Sequence, residues 1–161
     1  MDVAAELCAL TSSLSREDGV FGCVGDETGG SVAELVRQVA AEAEEAWKQY
    51  AAEGAVGPDT PEEIDDALLQ IGAERAAELL SYLATYDLVF PDSGRRDRAH
   101  ARRAAERVVR LLGYEAAWYT NITDLSSGVR AWNPVTRQTF DGVVAGTGGS
   151  FTVVLLQVGE D

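Results

Sequence analysis

Residues 114–158 read YEAAWYTNITDLSSGVRAWNPVTRQTFDGVVAGTGGSFTVVLLQV, and the alternation within this stretch decides the fold class. Tyr114, Ala116, Trp118, Thr120 and Ile122 interleave with Glu115, Ala117, Tyr119 and Asn121, the period of a strand that buries one face. Thr-Asp-Leu-Ser-Ser-Gly at 123–128 reads as a loop. Further strands are expected at 129–133, 138–145 and 151–158, separated by Asn133-Pro134 and by the glycines of 146–149. The last of them, FTVVLLQV, is apolar on both faces, so it is central or covered by helices on one side. GTGGS is followed by a strand and not by a helix, which makes it a hairpin turn, whereas a phosphate cradle needs a helix N-terminus there.

Working back from the sheet, residues 1–112 carry helical periods. A short helix is expected from Val3 to about Leu10, and the glycine-rich 19–30 reads as a loop or a short strand with a tight turn. Asp26 and Glu27 sit there between glycines, without the alternating acidic ligands of a calcium loop. Ser31 and Glu34 form a capping box. Val32, Leu35, Val36, Val39, Ala43, Ala46, Trp47 and Tyr50 then recur at helical spacing up to Gly54, and Glu42, Glu44, Glu45 and Glu53 fall on the outer face. Thr60-Pro61-Glu62-Glu63 starts another helix, with Ile64, Ala67, Leu68 and Ile71 inward and Glu62, Glu63, Asp65 and Asp66 crowding its first turns, where the helix dipole favours negative charge. Gly72 bends or breaks it, and 73–86 continues as a helix. Ser93 is the expected cap of a final helix reaching Leu112, with Ala101, Ala104, Ala105, Val108, Leu111 and Leu112 inward. The sum is a single α+β domain, four or five N-terminal helices (1–112) packed on one face of a C-terminal four-stranded antiparallel β-meander (113–161).

The chain has 161 residues, 46% of them apolar, enough for one domain with a real core. Asp2 and Glu6 stand where a signal peptide would be basic, and no apolar run approaches the ~18 residues of a membrane span; a cytoplasmic protein is expected. Two cysteines, Cys8 and Cys23, and one histidine, His100, offer neither a disulfide framework nor a metal-ligand pattern, so no metal or cofactor is expected. The net charge of −14 is uneven: residues 1–92 hold 20 acids against 4 bases, 93–112 hold 2 acids against 7 arginines, and 113–161 hold 5 acids against 2 bases. Such a chain is repelled by nucleic acid and by anionic membranes and attracted to basic proteins. The arginines at 95, 96, 98, 102, 103, 107 and 110 have no interleaved aromatics and are expected to pair with the acidic ridges of the two preceding helices.

Residues 64–94, IDDALLQIGAERAAELLSYLATYDLVFPDSG, resemble the helix, Ile-Gly-Ala turn and helix of an acidic, all-helical bacterial family known for DNA-mimic proteins. That resemblance implies carboxylates that imitate DNA and occupy nucleic-acid-binding proteins.

Two functions follow as expectations. The first is an acidic bacterial interaction protein that binds and neutralises a basic partner, a toxin or a nucleic-acid-binding protein, as an immunity protein or DNA mimic does. Its contact residues would be Glu42, Glu44, Glu45, Glu53, Glu62, Glu63, Asp65 and Asp66, with Tyr119, Asn121 and Arg130 exposed on the sheet, and homodimerisation is compatible with it. The second is a small enzyme or ligand-binding domain with a pocket between sheet and helices, built from Asn121, Arg137 and Asp141. No catalytic residue is assigned, and His100 has no nucleophile in a known local pattern.

Overall fold

The computed structural model describes residues 2–26, 30–91, 97–126, 129 and 131–161. In chain order the elements are α1 (Val3–Leu14), β1 (Val20–Asp26), α2 (Val32–Ala46), α3 (Pro61–Ala67), β2 (Leu69–Ile71), α4 (Ala73–Thr85), α5 (Arg98–Leu112), β3 (Ala117–Thr120), β4 (Ile122–Asp124), β5 (Ala131–Trp132), β6 (Phe140–Gly148) and β7 (Phe151–Gly159), with a 3-10 turn at Lys48–Tyr50. The class is α+β. Five strands form one antiparallel sheet in the order β1-β7-β6-β3-β2, and β4 and β5 make a separate two-stranded ribbon.

β6 and β7 are the centre. Their hairpin turns through Gly149 and Ser150, with Gly149 at φ +59° supplying the left-handed backbone that a two-residue turn requires. Because β7 is apolar on both faces, it is buried on both, and the helices divide between them. Leu155 and Val153 point toward α1, α4 and α5, in a cluster with Leu79, Leu80, Leu83, Val108 and Trp118. Val154, Leu156 and Val158 point toward α2 and α3, in a cluster with Val36, Val39, Ala43 and Ile64. Helices on a single face were expected; the sheet is instead the middle of three layers.

Two strands go beyond the sequence pattern, which offers 19–30 as a loop or a short strand and 61–71 as a helix. The glycine-rich 20–26 is a full edge strand paired along its length with β7. A side chain at Gly22 would meet Thr11 of α1 and one at Gly25 would crowd Leu35 of α2, so small residues let two helices lie close on either side of this strand. The helix expected across 61–71 stops at Ala67. Leu68 turns extended and Leu69–Ile71 pairs with Thr120, Tyr119 and Trp118 of β3, backbone pairing that outweighs helical propensity in this short run. The segment resembling the DNA-mimic family is therefore helix, edge strand, helix.

Local signals at helix starts hold. Ser31 Oγ accepts the Glu34 N–H at 3.2 Å and Thr60 Oγ1 accepts that of Glu63 at 3.2 Å. α1 extends past Leu10 to Leu14, and α2 ends at Ala46, well short of Gly54. α5 starts at Arg98 on an Asp97 cap; Ser93, Arg95 and Arg96, like Glu27 and Arg130, lie outside the described residues. Among the described residues no helix is long and apolar enough to cross a membrane.

Candidate interaction surface

The acidic groups of α2, α3 and the segment between them gather on one side of the sheet. α2 buries Leu35, Val36, Val39, Ala40 and Ala43, and α3 buries Ile64 and Ala67. That packing leaves Glu42, Glu45, Glu53, Glu62, Glu63, Asp65 and Asp66 exposed. Residues 31–68 hold ten acids against Arg37 and Lys48 alone, a local charge of −8. Lys48 lies 3.0 Å from Glu45, with both side chains more than 70% exposed, a pair too solvated to neutralise much. Arg37 is turned inward. Among the described residues Glu42, Glu53, Glu62, Asp65 and Asp66 make no ion pair.

Glu44, expected on the outer ridge, is 6% exposed. Its carboxylate takes Arg37 Nη1 at 3.1 Å, the Arg137 backbone N–H at 2.9 Å and Arg137 Nε at 3.4 Å. It ties α2 to the loop before β6 and is unavailable to a partner. Arg137 is committed to it.

Asn121 and Asp141 do come together, 2.8 Å apart between Nδ2 and Oδ1, but they are 0% and 1% exposed. Asp141 also accepts the N–H groups of Val135 (3.2 Å) and Thr136 (2.9 Å) and the Thr136 hydroxyl (2.8 Å). Asn121 donates to the Asn133 carbonyl at 2.8 Å and accepts the Val143 N–H at 2.8 Å. Burial pushes the Asp141 carboxyl up to about 6, against the pull of those donors. Together these contacts fasten Asn121 and the 133–138 loop to β6, with both Asn121 and Asp141 closed to solvent. Asn121 is thus part of the interior and not of a sheet surface.

Tyr119 is half-buried. It pairs with Ala145 across β3 and β6, which puts its ring on the α2/α3 side. Trp118 is 1% exposed, packed on Gly146, and belongs to the core. Trp132 is half-buried, its ring 5.4 Å from Phe140. Tyr50, placed by its spacing on the inner stripe, is 54% exposed because α2 has already ended; it stands edge-on to Trp47 at 5.1 Å, between Glu45 and Glu53 in the chain. An exposed aromatic amid carboxylates is the kind of group that anchors interfaces. A helix stop before Gly54 would have revealed it, and the sequence has no strong stop signal there.

The arginine helix lies across the sheet from α2 and α3, and among the described residues its arginines pair with neither, contrary to expectation. Arg107 makes a two-pronged bond to Glu6 of α1 at 2.8 and 3.1 Å, which holds the Glu6 carboxyl below and the Arg107 guanidinium above their usual ranges. Arg102 bonds Glu106 at 3.2 Å within the helix, and Arg98 covers the Tyr86 ring at 4.6 Å. His100 Nε2 meets Ser13 Oγ of α1 at 2.9 Å on the open surface beside Arg16 and Arg103. Asp97 serves the His100 backbone N–H as helix cap. Among the described residues, no three His, Cys, Asp or Glu side chains converge as metal ligands would.

Comparison with protein-family models, with curated proteins and with solved structures finds no match to the chain.

Proposed function

We propose that the protein is an acidic interaction protein that binds and neutralises a basic partner through its α2/α3 layer, in the manner of an immunity protein or a DNA mimic. The observation that carries the reading is the one-sided layer itself: a local charge of −8 over residues 31–68, with the arginine helix on the far side of the sheet. A surface that retains uncompensated charge steers an oppositely charged protein and selects against anionic competitors. Tyr50 and Tyr119 supply apolar contact on the same side. The partner is a toxin or a nucleic-acid-binding protein, met in the cytoplasm of a bacterium.

The test is affinity capture from bacterial lysate at about 50 mM and about 500 mM salt, a range over which the screening length falls severalfold. It uses the wild type and a variant carrying Glu42→Gln, Glu53→Gln, Glu62→Gln and Asp66→Asn. A basic protein held in stoichiometric amount by the wild type at low salt, released at high salt and not held by the variant is the expected result. Equal retention by the variant, or no basic protein at low salt, overturns the proposal.

A further inference from the structure

We infer that the open edge of β1 takes up an extended, cationic segment of a partner protein as an added strand. This rests on the basic-partner reading for the sign of the occupant's charge, and on backbone geometry for everything else. β1 is an edge strand of seven residues, paired among the described residues on one side only.

The direction of its free groups is fixed by register. Val158 N–H donates to the Gly19 carbonyl at 2.9 Å, and Gly19 precedes the Val20↔Gln157 pair. In an antiparallel ladder, hydrogen-bonded and non-bonded pairs alternate. Phe21, Cys23 and Gly25 therefore turn their N–H and C=O groups to β7, and Gly22 and Val24 turn theirs outward. The Val20 N–H, also outward, is already bonded to the Glu17 carbonyl at 3.1 Å, which closes the entry to the strand and leaves its middle available. Residues 21–25 are all half-buried, unlike the buried centres of β6 and β7. Natural sheets blunt such edges with Lys, Pro or a bulge, and Val-Phe-Gly-Cys-Val-Gly-Asp has none of these.

The walls specify the occupant. α1 flanks the edge on one face, where Thr11 lies against Gly22, and α2 flanks it on the other, where Leu35 lies against Gly25. Glu42 of α2 and Cys8 of α1, both exposed, are near enough to act on the Cys23 thiol, which burial first and these two groups next push up. A strand added here would alternate its side chains between the two walls. Those on the α2 side meet Glu42 and call for Lys or Arg, while those on the α1 side meet Thr11, Ser15 and Cys8 and call for short side chains. A second copy of this chain fits worse, because β1 against β1 would bring Glu42 and Asp26 of both copies, each chain at −14, to one seam.

The experiment uses the whole chain, isotope-labelled, and a capped synthetic octapeptide of alternating Lys and Val. Saturating peptide is expected to slow amide exchange at Gly22 and Val24 by about tenfold or more. A block peptide of the same composition, four Lys then four Val, is expected to give no such protection. Val24→Pro, which removes an outward N–H and leaves the bonds to β7 intact, is expected to weaken peptide binding by tenfold or more while the Phe21, Cys23 and Gly25 amides bonded to β7 keep their slow exchange. Unaltered exchange at both amides in the wild type overturns the inference whether or not the proline variant folds. Equal binding of the block peptide, or a dimer of the protein alone that Val24→Pro dissolves, overturns it as well. Should the wild type and Val24→Pro capture the same basic protein equally, this edge is refuted and the acidic-layer reading stands. Amide protection by the peptide without any captured basic protein does the reverse.

Discussion

Removing the Asp141 carboxylate separates a structural role from a chemical one. Four donors converge on it: Asn121 Nδ2, the N–H groups of Val135 and Thr136, and the Thr136 hydroxyl. Each buried donor left without an acceptor costs about 1–3 kcal/mol. Asp141→Ala strands the two backbone N–H groups at once, about 4 kcal/mol, a large part of the stability of an ordinary domain. Asp141→Asn keeps one acceptor oxygen but must put its NH2 somewhere. At the Oδ1 position it faces Asn121 Nδ2, which cannot flip without giving up the Val143 N–H; at the Oδ2 position it faces the Thr136 N–H. Either way the variant loses about 2–3 kcal/mol. The pH dependence has a definite sign. Burial raises this carboxyl from its ordinary 3.8 to about 6, so the folded chain holds the proton to higher pH than the unfolded chain does. Its contribution to stability is full below about 3.8, falls as pH rises and is gone above about 6, in total about 3 kcal/mol. About 1.4 kcal/mol of that change lies between pH 5 and pH 7.5, above the sequence pI of 4.3. Urea unfolding across this range should show the gap between wild type and Asp141→Asn narrowing as pH rises. A gap that widens would mean that the donors outweigh burial, and no gap at any pH would mean that the network does not hold the fold.

Two further outcomes follow from packing and from charge. Gly146→Ala would put a methyl group under 3.0 Å from the Trp118 indole in the sheet core and should cost about 3 kcal/mol; combining it with Trp118→Leu should cost less than the sum of the two changes, and additivity in urea unfolding would show that the contact does not limit that site. Glu44→Ala leaves Arg37 and the Arg137 backbone N–H without their acceptor and should destabilise by about 2–4 kcal/mol with partner capture unchanged once refolded, whereas Glu42→Gln, which removes repulsion within the acidic layer, should raise the melting midpoint slightly.

What could be read from the residues is what depends on near neighbours. Ser31 and Thr60 announce their helices because a cap involves a side chain and an N–H three residues on. The β6–β7 hairpin announces itself through GTGG, and the two apolar faces of β7 mark it as a strand buried in the middle of the fold. That the helices divide between the faces was not legible, since nothing in a helix of apolar stripe and polar back tells which side of a sheet it will take. β2 was missed, and β1 was legible only as a loop or a short strand, for a related reason. Leu69–Ile71 is a strand only because β3, some fifty residues on, offers it an edge, and the glycines of β1 make sense only once Thr11 and Leu35 are in place above them. Glu44 falls on the outer side of the helical pattern, yet Arg37, two turns earlier on the same face, together with Arg137 draws it in. Asn121 and Asp141 were singled out for a ligand pocket because they are polar; the same property, under burial, makes them fasteners.

The separation of charge across the sheet bears on why the acidic layer is there. α5 carries five arginines against one glutamate, and it faces α1 and α4; α3 places four acids within seven residues and has no base at all. Crowding carboxylates on so short a helix works against folding through mutual repulsion, and the helix dipole, which favours the first turn, offsets only part of it. A chain selected for stability alone could have brought its arginines to those acids. It instead spends Arg107 on Glu6 and Arg102 on Glu106, while Glu42, Glu53, Glu62, Asp65 and Asp66 stay without a counter-charge among the described residues. Under the proposed function, repulsion kept in the free protein would be relieved when a basic surface docks, so the groups that weaken the isolated fold would strengthen the complex, and charge-neutralising variants of this layer should gain thermal stability as they lose the partner.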